Sequence, residues 1–448
     1  MALPALGAVS TKRPPNVVLV LIDDLGWRDL GCYGSGFYET PNIDALAAQG
    51  ARFTQFYSAS PVCSPTRASI LTGQYPARLH LTHIPIDNPT DRALLLPDWQ
   101  HGLPPKTCTL PEAFQAAGYA TGCIGKWHLG GMTDPQCGPA NHGFDFVVYD
   151  TPSGGDKFVT TFTDTALEFI GNHRTRPFFL YLSHHTVHVP FEAPKDIIEK
   201  YRHKKAGATG QNNATMAAMI EVLDHGIGRL MAGLERLAIA DNTIVIFTSD
   251  NGGLRYVRDE DSGGVVTATD NAPLRSGKAQ LYEGGIRVPF IVHWPGFLED
   301  GQQVSTPAIT NDIYPSLLAM AGLPLRPEDH KDGMDIITPL IGREAAERPP
   351  ARRDLFWHFP HYHAATRPCG AVRRDNLKLI EQYEDGALEL YDLAQDIGET
   401  RNLAQEHPGR TRELRELLHR HLKEVGAQMP LPNPDKDSSQ NPEESSGG

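Results

Sequence analysis

An α/β fold with a mostly parallel central sheet flanked by helices is what the sequence predicts, and three observations predict it. Short unbroken apolar runs recur along the chain, as in strands buried on both faces. Between them, apolar residues fall at helical spacing, and alternation of the two patterns means a parallel sheet. After about residue 345 the texture changes to short strand-like pieces and one charged helix, which adds a smaller C-terminal α+β subdomain.

Residues 16–22 (NVVLVLI) form the first buried strand, followed at once by Asp23, Asp24 and Gly26. Thr40-Pro41 opens a helix as N-cap and first residue; Ile43, Leu46 and Ala47 make its apolar stripe, and Gly50 lies past its end. Residues 110–117 read as a short helix closed by Gly118, and 119–124 as the strand it feeds. Residues 177–183 (PFFLYLS) form a third strand, and 214–237 a long amphipathic helix. A fourth strand at 243–248 (TIVIFT) runs into Asp250-Asn251-Gly252-Gly253, and 290–293 makes a fifth. The expected divisions are an arm at 1–15, a catalytic domain at 16–345, the subdomain at 346–429 with a helix at 408–425, and a disordered tail at 430–448.

Composition narrows the function. The 448 residues carry 41 Lys+Arg against 54 Asp+Glu, a formal charge of −13, which argues against nucleic acid or an anionic membrane as partner. The longest strongly apolar run, residues 17–22, is too short to span a bilayer. Six cysteines do not make a disulfide scaffold. Residues 1–9 lack the basic and long apolar regions of an intact signal peptide, so the expected compartment is periplasmic or secreted if a signal was removed, and cytoplasmic otherwise.

The most specific motif is Cys63-Ser64-Pro65-Thr66-Arg67, running into a short helix stopped by Gly73. Cys63 then stands at a helix N-terminus, where free amides favour negative charge and lower a thiol pKa. Arg67, one turn on, shares its face and can reach back to it. In Gly125-Lys126-Trp127-His128-Leu129-Gly130, Lys126 and His128 lie two apart at a strand end and so face one pocket. Asp23-Asp24 and Asp250-Asn251 end two buried strands, and ligands of such sheets sit beyond the carboxyl ends. Alone, each pair reads as an ordinary loop or turn. Together they are an oxygen-only set suited to a hard cation, calcium first and magnesium second.

With these residues in place, CSPTRASILTG, completed by Gln74-Tyr75-Pro76-Ala77-Arg78, resembles the signature of the type I sulfatases of the alkaline-phosphatase superfamily. GKWHLG resembles their second signature. The resemblance implies an alkaline-phosphatase-like sheet. It implies that a formylglycine-generating enzyme oxidises Cys63 to formylglycine, whose hydrated aldehyde is the nucleophile. It also implies calcium held by Asp23, Asp24, Asp250, Asn251 and residue 63. Arg67 would stabilise the alkoxide, Lys126 and Lys278 would neutralise the sulfuryl oxygens, and His188, in Thr186-Val187-His188-Val189-Pro190, would protonate the leaving alcohol. His128 would then deprotonate the second hydroxyl and release sulfate.

The substrate expected from this resemblance is a sulfated saccharide, with aryl sulfates as surrogates. Besides Lys126, His188 and Lys278, the expected substrate contacts are His83 and Trp99, from the Pro-rich excursion at 79–106, and His361. His358, His361 and His363 fit no standard zinc spacing and are assigned to the pocket rim. Two alternatives stay open at this level: a formylglycine-dependent phosphonate or phosphodiester hydrolase, and a non-catalytic sulfated-glycan-binding homologue with Cys63 unmodified. Asn251 favours sulfate esters, because the phosphodiester relatives tend to carry His there.

Overall fold

The computed structural model describes residues 13–86, 89, 91–149, 155–206, 210–258, 264–341, 353–363 and 366–437. Most of the expected N-terminal arm (1–12) and of the Pro/Arg-rich 348–353 stretch lies outside them, as do 438–448 of the tail. In chain order the main elements begin with β1 (Asn16–Ile22), α1 (Pro41–Ala48), β2 (Ala51–Tyr57), α2 (Cys63–Thr72) and α3 (Leu110–Ala116). Next come β3 (Ala120–Gly125), β4 (Phe146–Val148), α4 (Val159–His173), β5 (Phe178–His184), α5 (Lys195–Arg202), α6 (Ala214–Arg236) and β6 (Thr243–Ser249). They are followed by β7 (Arg287–His293), β8 (Gln302–Val304), β9 (Ala308–Ile309) and α7 (Ile313–Met320). The C-terminal part holds β10 (Leu355–Phe359), β11 (Cys369–Arg374), β12 (Leu377–Gln382), β13 (Leu388–Asp392) and α8 (Pro408–Glu424).

The nine-stranded sheet runs β8-β2-β7-β6-β1-β5-β3-β4, with β9 also on β2. Its pairings are parallel except those of β7, which is antiparallel to both β2 and β6. The sheet is therefore mixed but mostly parallel. Every residue of β1 is buried: Val17, Leu19 and Leu21 join the core that includes Ile70 and Leu71 of α2, while Val18, Val20 and Ile22 face α1, α4 and α6. That two-sided burial is what an unbroken apolar run requires. Register then sets the site, since Ile22 lies opposite both His184 and Ser249. The loops after β1, β5 and β6 consequently leave the sheet at one level.

The C-terminal strands form an antiparallel sheet, β10-β11-β12-β13. Leu414, Leu418 and Leu422 of α8 cover one face; Trp357, Phe359, Ala371 and Ile380 on the other pack on Val62, Ala279 and Leu281, which flank the site. A buried ion network pins this seam. Lys378 Nζ, without solvent exposure, donates to Glu283 Oε1 at 3.0 Å and Glu399 Oε1 at 2.8 Å, and Tyr57 Oη donates to Glu283 Oε2 at 2.7 Å. Replacing Lys378 by Met should leave buried Glu399 short of its cation, while Glu283 keeps Arg287 at 3.2 Å, and cost about 3–5 kcal/mol of stability. Urea unfolding checks this, and a loss below about 1 kcal/mol would contradict the role given to the network.

One sequence expectation needs correction, and several elements leave little trace in the sequence. The tail is ordered at its start: Leu431–Pro432 pairs with Leu94–Leu95, and Asn433 Nδ2 donates to the Arg92 carbonyl at 2.9 Å. Low hydrophobicity hid a segment that gains backbone pairing rather than a core. Strand β2 was not foreseen because Arg52, Thr54 and Gln55 interrupt its apolar pattern, and β11 because it ends in Arg373-Arg374. Helices α4, α5 and α7 were likewise not foreseen. The six cysteines are free, so no disulfide supports the fold.

Candidate active site

Cys63 is the first residue of α2, after Val62 in extended conformation. Pro65 suits the first turn, where a missing N–H costs nothing. Thr66 Oγ1 donates to the carbonyl of Ser60 at 3.0 Å and holds the approach to the helix. All of α2 is buried, so residue 63 is fixed between the sheet and the C-terminal strands.

Around it, the two lysines and the arginine neutralise the strand-end carboxylates. Lys126 Nζ donates to Asp23 Oδ2 at 2.6 Å, and Lys278 Nζ to Asp24 Oδ2 at 2.7 Å. Arg67, without solvent exposure, donates from Nε and Nη2 to Asp250 Oδ2 at 2.9 and 2.6 Å. Its Nη1 donates to Ser183 Oγ at 2.6 Å and to the Lys126 carbonyl at 2.9 Å. Asn251 Nδ2 donates to Asp24 Oδ1 at 2.9 Å, and His188 Nε2 stands 3.8 Å from Asp24 Oδ2.

The cation test rests on unmet demand. Asp23 Oδ1 and Asn251 Oδ1 are buried and accept no hydrogen bond. Ligand atoms of Asp23, Cys63 and Asp250, and of Asp23, Asp24 and His188, gather within 4.8 Å of one another. Burial would raise Asp23, but Lys126 and Arg67 hold it well below the usual carboxylate range. Burial pushes Asp250 up to about 6 against the pull of Arg67, and Asp23 adds to the rise. Carboxylates crowded this way with orphaned oxygens suit a hard cation. Asp23, Asp24, Asp250 and Asn251 are the residues that could hold it.

Two local expectations change. Burial pushes the Cys63 thiol up, with Asp23 and Asp250 opposing the lysines. The helix N-terminus therefore does not yield a low-pKa thiol, because removal from water outweighs it. Lys126 and His128 do converge, but not as alternate strand residues: β3 ends at Gly125, and His128 has a positive φ of 59°. Gly125 itself has φ +96°, and a Cβ there would meet the Ser183 carbonyl oxygen at 2.0 Å. Burial, then Lys126 and Arg67, drives His128 down to about 2, so its ring is neutral.

The expected sugar contacts fare differently. His83, Trp99 and His361 are only 1%, 8% and 0% exposed and pack on one another, with His83 and His361 ring centres 4.7 Å apart. Together they form a buried aromatic cluster. His358 is tied to Tyr383 Oη and the Gln428 carbonyl. His363, half-buried, is the member of that run that senses Lys278 and Asp24. Two further groups, Ser183 and His185, carry no motif of their own in the sequence but lie close to these charges. Burial pushes His185 down to about 4, with the charges of Asp23, Lys126 and Arg67 acting on it. Their position just where β5 reaches the level of Asp23 was the available signal.

A family model described as Sulfatase matches residues 15–323, and one described as N-sulphoglucosamine sulphohydrolase, C-terminal, matches residues 276–428. The chain is 34% identical over 382 residues to N-acetylgalactosamine-6-sulfatase of Homo sapiens, covering 77% of this chain and 69% of that protein. It is 31% identical over 477 residues to arylsulfatase A of Homo sapiens, covering 92% and 87%. It superposes on the crystal structure of Ps i-CgsB in complex with k-i-k-neocarrahexaose with a TM-score of 0.76 at 25% identity, over 92% and 93% of the two chains. The class that the fold and these relatives define is that of hydrolases acting on sulfuric esters. The chain belongs to the sulfatase family.

Proposed function

We propose that this protein hydrolyses a sulfate monoester on a carbohydrate, with formylglycine formed from Cys63 by a formylglycine-generating enzyme and with a bound calcium ion. The observation that carries this reading is the set of orphaned oxygens on Asp23 and Asn251 beside residue 63, ringed by Arg67, Lys126 and Lys278. A sulfated carbohydrate is supported by relatives named N-acetylgalactosamine-6-sulfatase and by a neighbour solved with a neocarrahexaose.

Calcium would supply positive charge to the nucleophile and to one sulfuryl oxygen, and the hydrated aldehyde two hydroxyls on one carbon. The chain's own residues do the rest. Arg67 orients residue 63 through Asp250 and Ser183. Lys126 and Lys278, whose charge is secured by Asp23 and Asp24, face the sulfuryl oxygens. His188 Nδ1 is engaged with the Val189 carbonyl at 2.6 Å, leaving Nε2 to protonate the leaving alcohol. Neutral His128 takes the proton whose removal releases sulfate.

Turnover of an aryl sulfate and an aryl phosphodiester should differ strongly in favour of the sulfate, and preference for the diester would overturn the reading. Chelator-treated protein should lose activity and regain it with calcium. Calcium should also raise its melting temperature, an effect that Asp23→Asn weakens. Activity and melting temperature indifferent to both treatments would exclude a resident cation.

A further inference from the structure

Three clefts meet at Leu254-Arg255-Tyr256. One, of about 570 Å³, contains Lys278 and is lined also by Arg255, Tyr256, Arg275, Tyr282 and Arg367. A second, of about 1230 Å³, shares Leu254 and Tyr256 with it and reaches Val189, next to His188. A third shares Arg255 and Arg275. Pockets of roughly 300–1,000 Å³ hold drug-sized ligands, so the first cleft alone accepts more than the sulfate, and the second continues it.

The three arginines of the first cleft differ in what they are free to do. Arg275 donates to Tyr391 Oη at 2.9 Å and the Glu399 carbonyl at 2.8 Å, lies 3.7 Å from Glu389, and stacks on Tyr282. Arg367 is paired with Glu384 and Asp385. Among the described residues, Arg255 has no ion pair; its guanidinium carbon sits 5.0 Å from the Tyr256 ring centre. Its backbone is held against the catalytic loop. Lys278 N–H donates to the Gly253 carbonyl at 3.1 Å, and a Cβ on Gly277 would lie 3.5 Å from the Arg255 nitrogen. Tyr256, 52% exposed, is a large aromatic surface beside this cation. An exposed ring next to an uncommitted guanidinium offers a sugar face a stacking platform and an anion a bidentate partner.

Resting on the sulfatase reading, we infer that Arg255 and Tyr256 form a specificity subsite for the sugar adjoining the one that bears the scissile sulfate, and that this neighbour carries an anion, a carboxylate or a second sulfate. Among the described residues, Arg255 is the arginine of the first cleft without an ion pair, which matches one further anion on the neighbouring sugar.

The test uses the mature enzyme and three disaccharides, each sulfated on the reacting sugar, whose neighbour is a uronic acid, a sulfated sugar or a neutral sugar. Wild type should prefer one anionic neighbour over the neutral one, and which of the two identifies the anion. Arg255→Ala should lower kcat/KM for that disaccharide about tenfold more than for an aryl sulfate, chiefly through KM, with Arg255→Lys recovering part of the loss. Tyr256→Ala should weaken all three disaccharides. Calorimetric binding of the desulfated anionic disaccharide, which needs no catalysis, should weaken in Arg255→Ala. Equal binding by wild type and Arg255→Ala, or no preference among neighbours, overturns the subsite and leaves sulfate hydrolysis standing. Weakened binding in an enzyme that hydrolyses no sulfate ester supports the subsite and overturns the hydrolase reading.

Discussion

Cys63→Ser should give a protein that takes up a single sulfate per site and then stops. Serine differs from cysteine by one atom, and residue 63 is nearly buried at the first turn of α2, so the surrounding contacts of Arg67, Lys126 and Lys278 persist. A serine hydroxyl in that place should still attack sulfur, because Lys126 and Lys278, proposed to face the sulfuryl oxygens, are unchanged. What serine lacks is the second hydroxyl on the same carbon. Neutral His128 then has no proton to remove, and the new ester has no internal exit. Intact-mass measurement after incubation with an aryl sulfate should show one added sulfate and no sustained product release. Continued turnover at the wild-type rate would refute the two-hydroxyl scheme, and with it the need for formylglycine.

Much of this site was legible because its chemistry lies where buried strands end. Asp23-Asp24 and Asp250-Asn251 could be placed together from two apolar runs, and the register of Ile22 with Ser249 is the physical reason. Features that depend on the third dimension were not legible. For the histidines at 358–363, packing, not sequence, decides that His361 turns to Thr82 while His363 senses Lys278. The Cys63 thiol was misjudged because helix position is local and burial is not. The Lys378–Glu283–Glu399 network joins residues up to 116 apart, and no spacing rule could announce it. The sheet was read as mostly parallel, yet the reversal of β7 leaves no mark in an apolar run.

Arg67→Lys should cost about 10²–10³ in kcat while leaving KM for an aryl sulfate nearly unchanged. Arg67 has no solvent exposure, so it cannot bind free substrate, and its effect must pass through residue 63 and Asp250. Its planar fork serves three acceptors at once: Asp250, Ser183 and the Lys126 carbonyl. A lysine ammonium is a point charge on a different stem and cannot reproduce that fork. Each acceptor left unpaired in the interior costs about 1–3 kcal/mol, so stability should fall as well. A merely structural role would lower stability without touching the cation site. Because Asp250 is both the partner of Arg67 and a member of the oxygen set, the variant should also bind calcium more weakly when titrated after chelation. A variant with unchanged calcium affinity and kcat within about threefold of wild type would show that charge alone suffices and that the fork is dispensable.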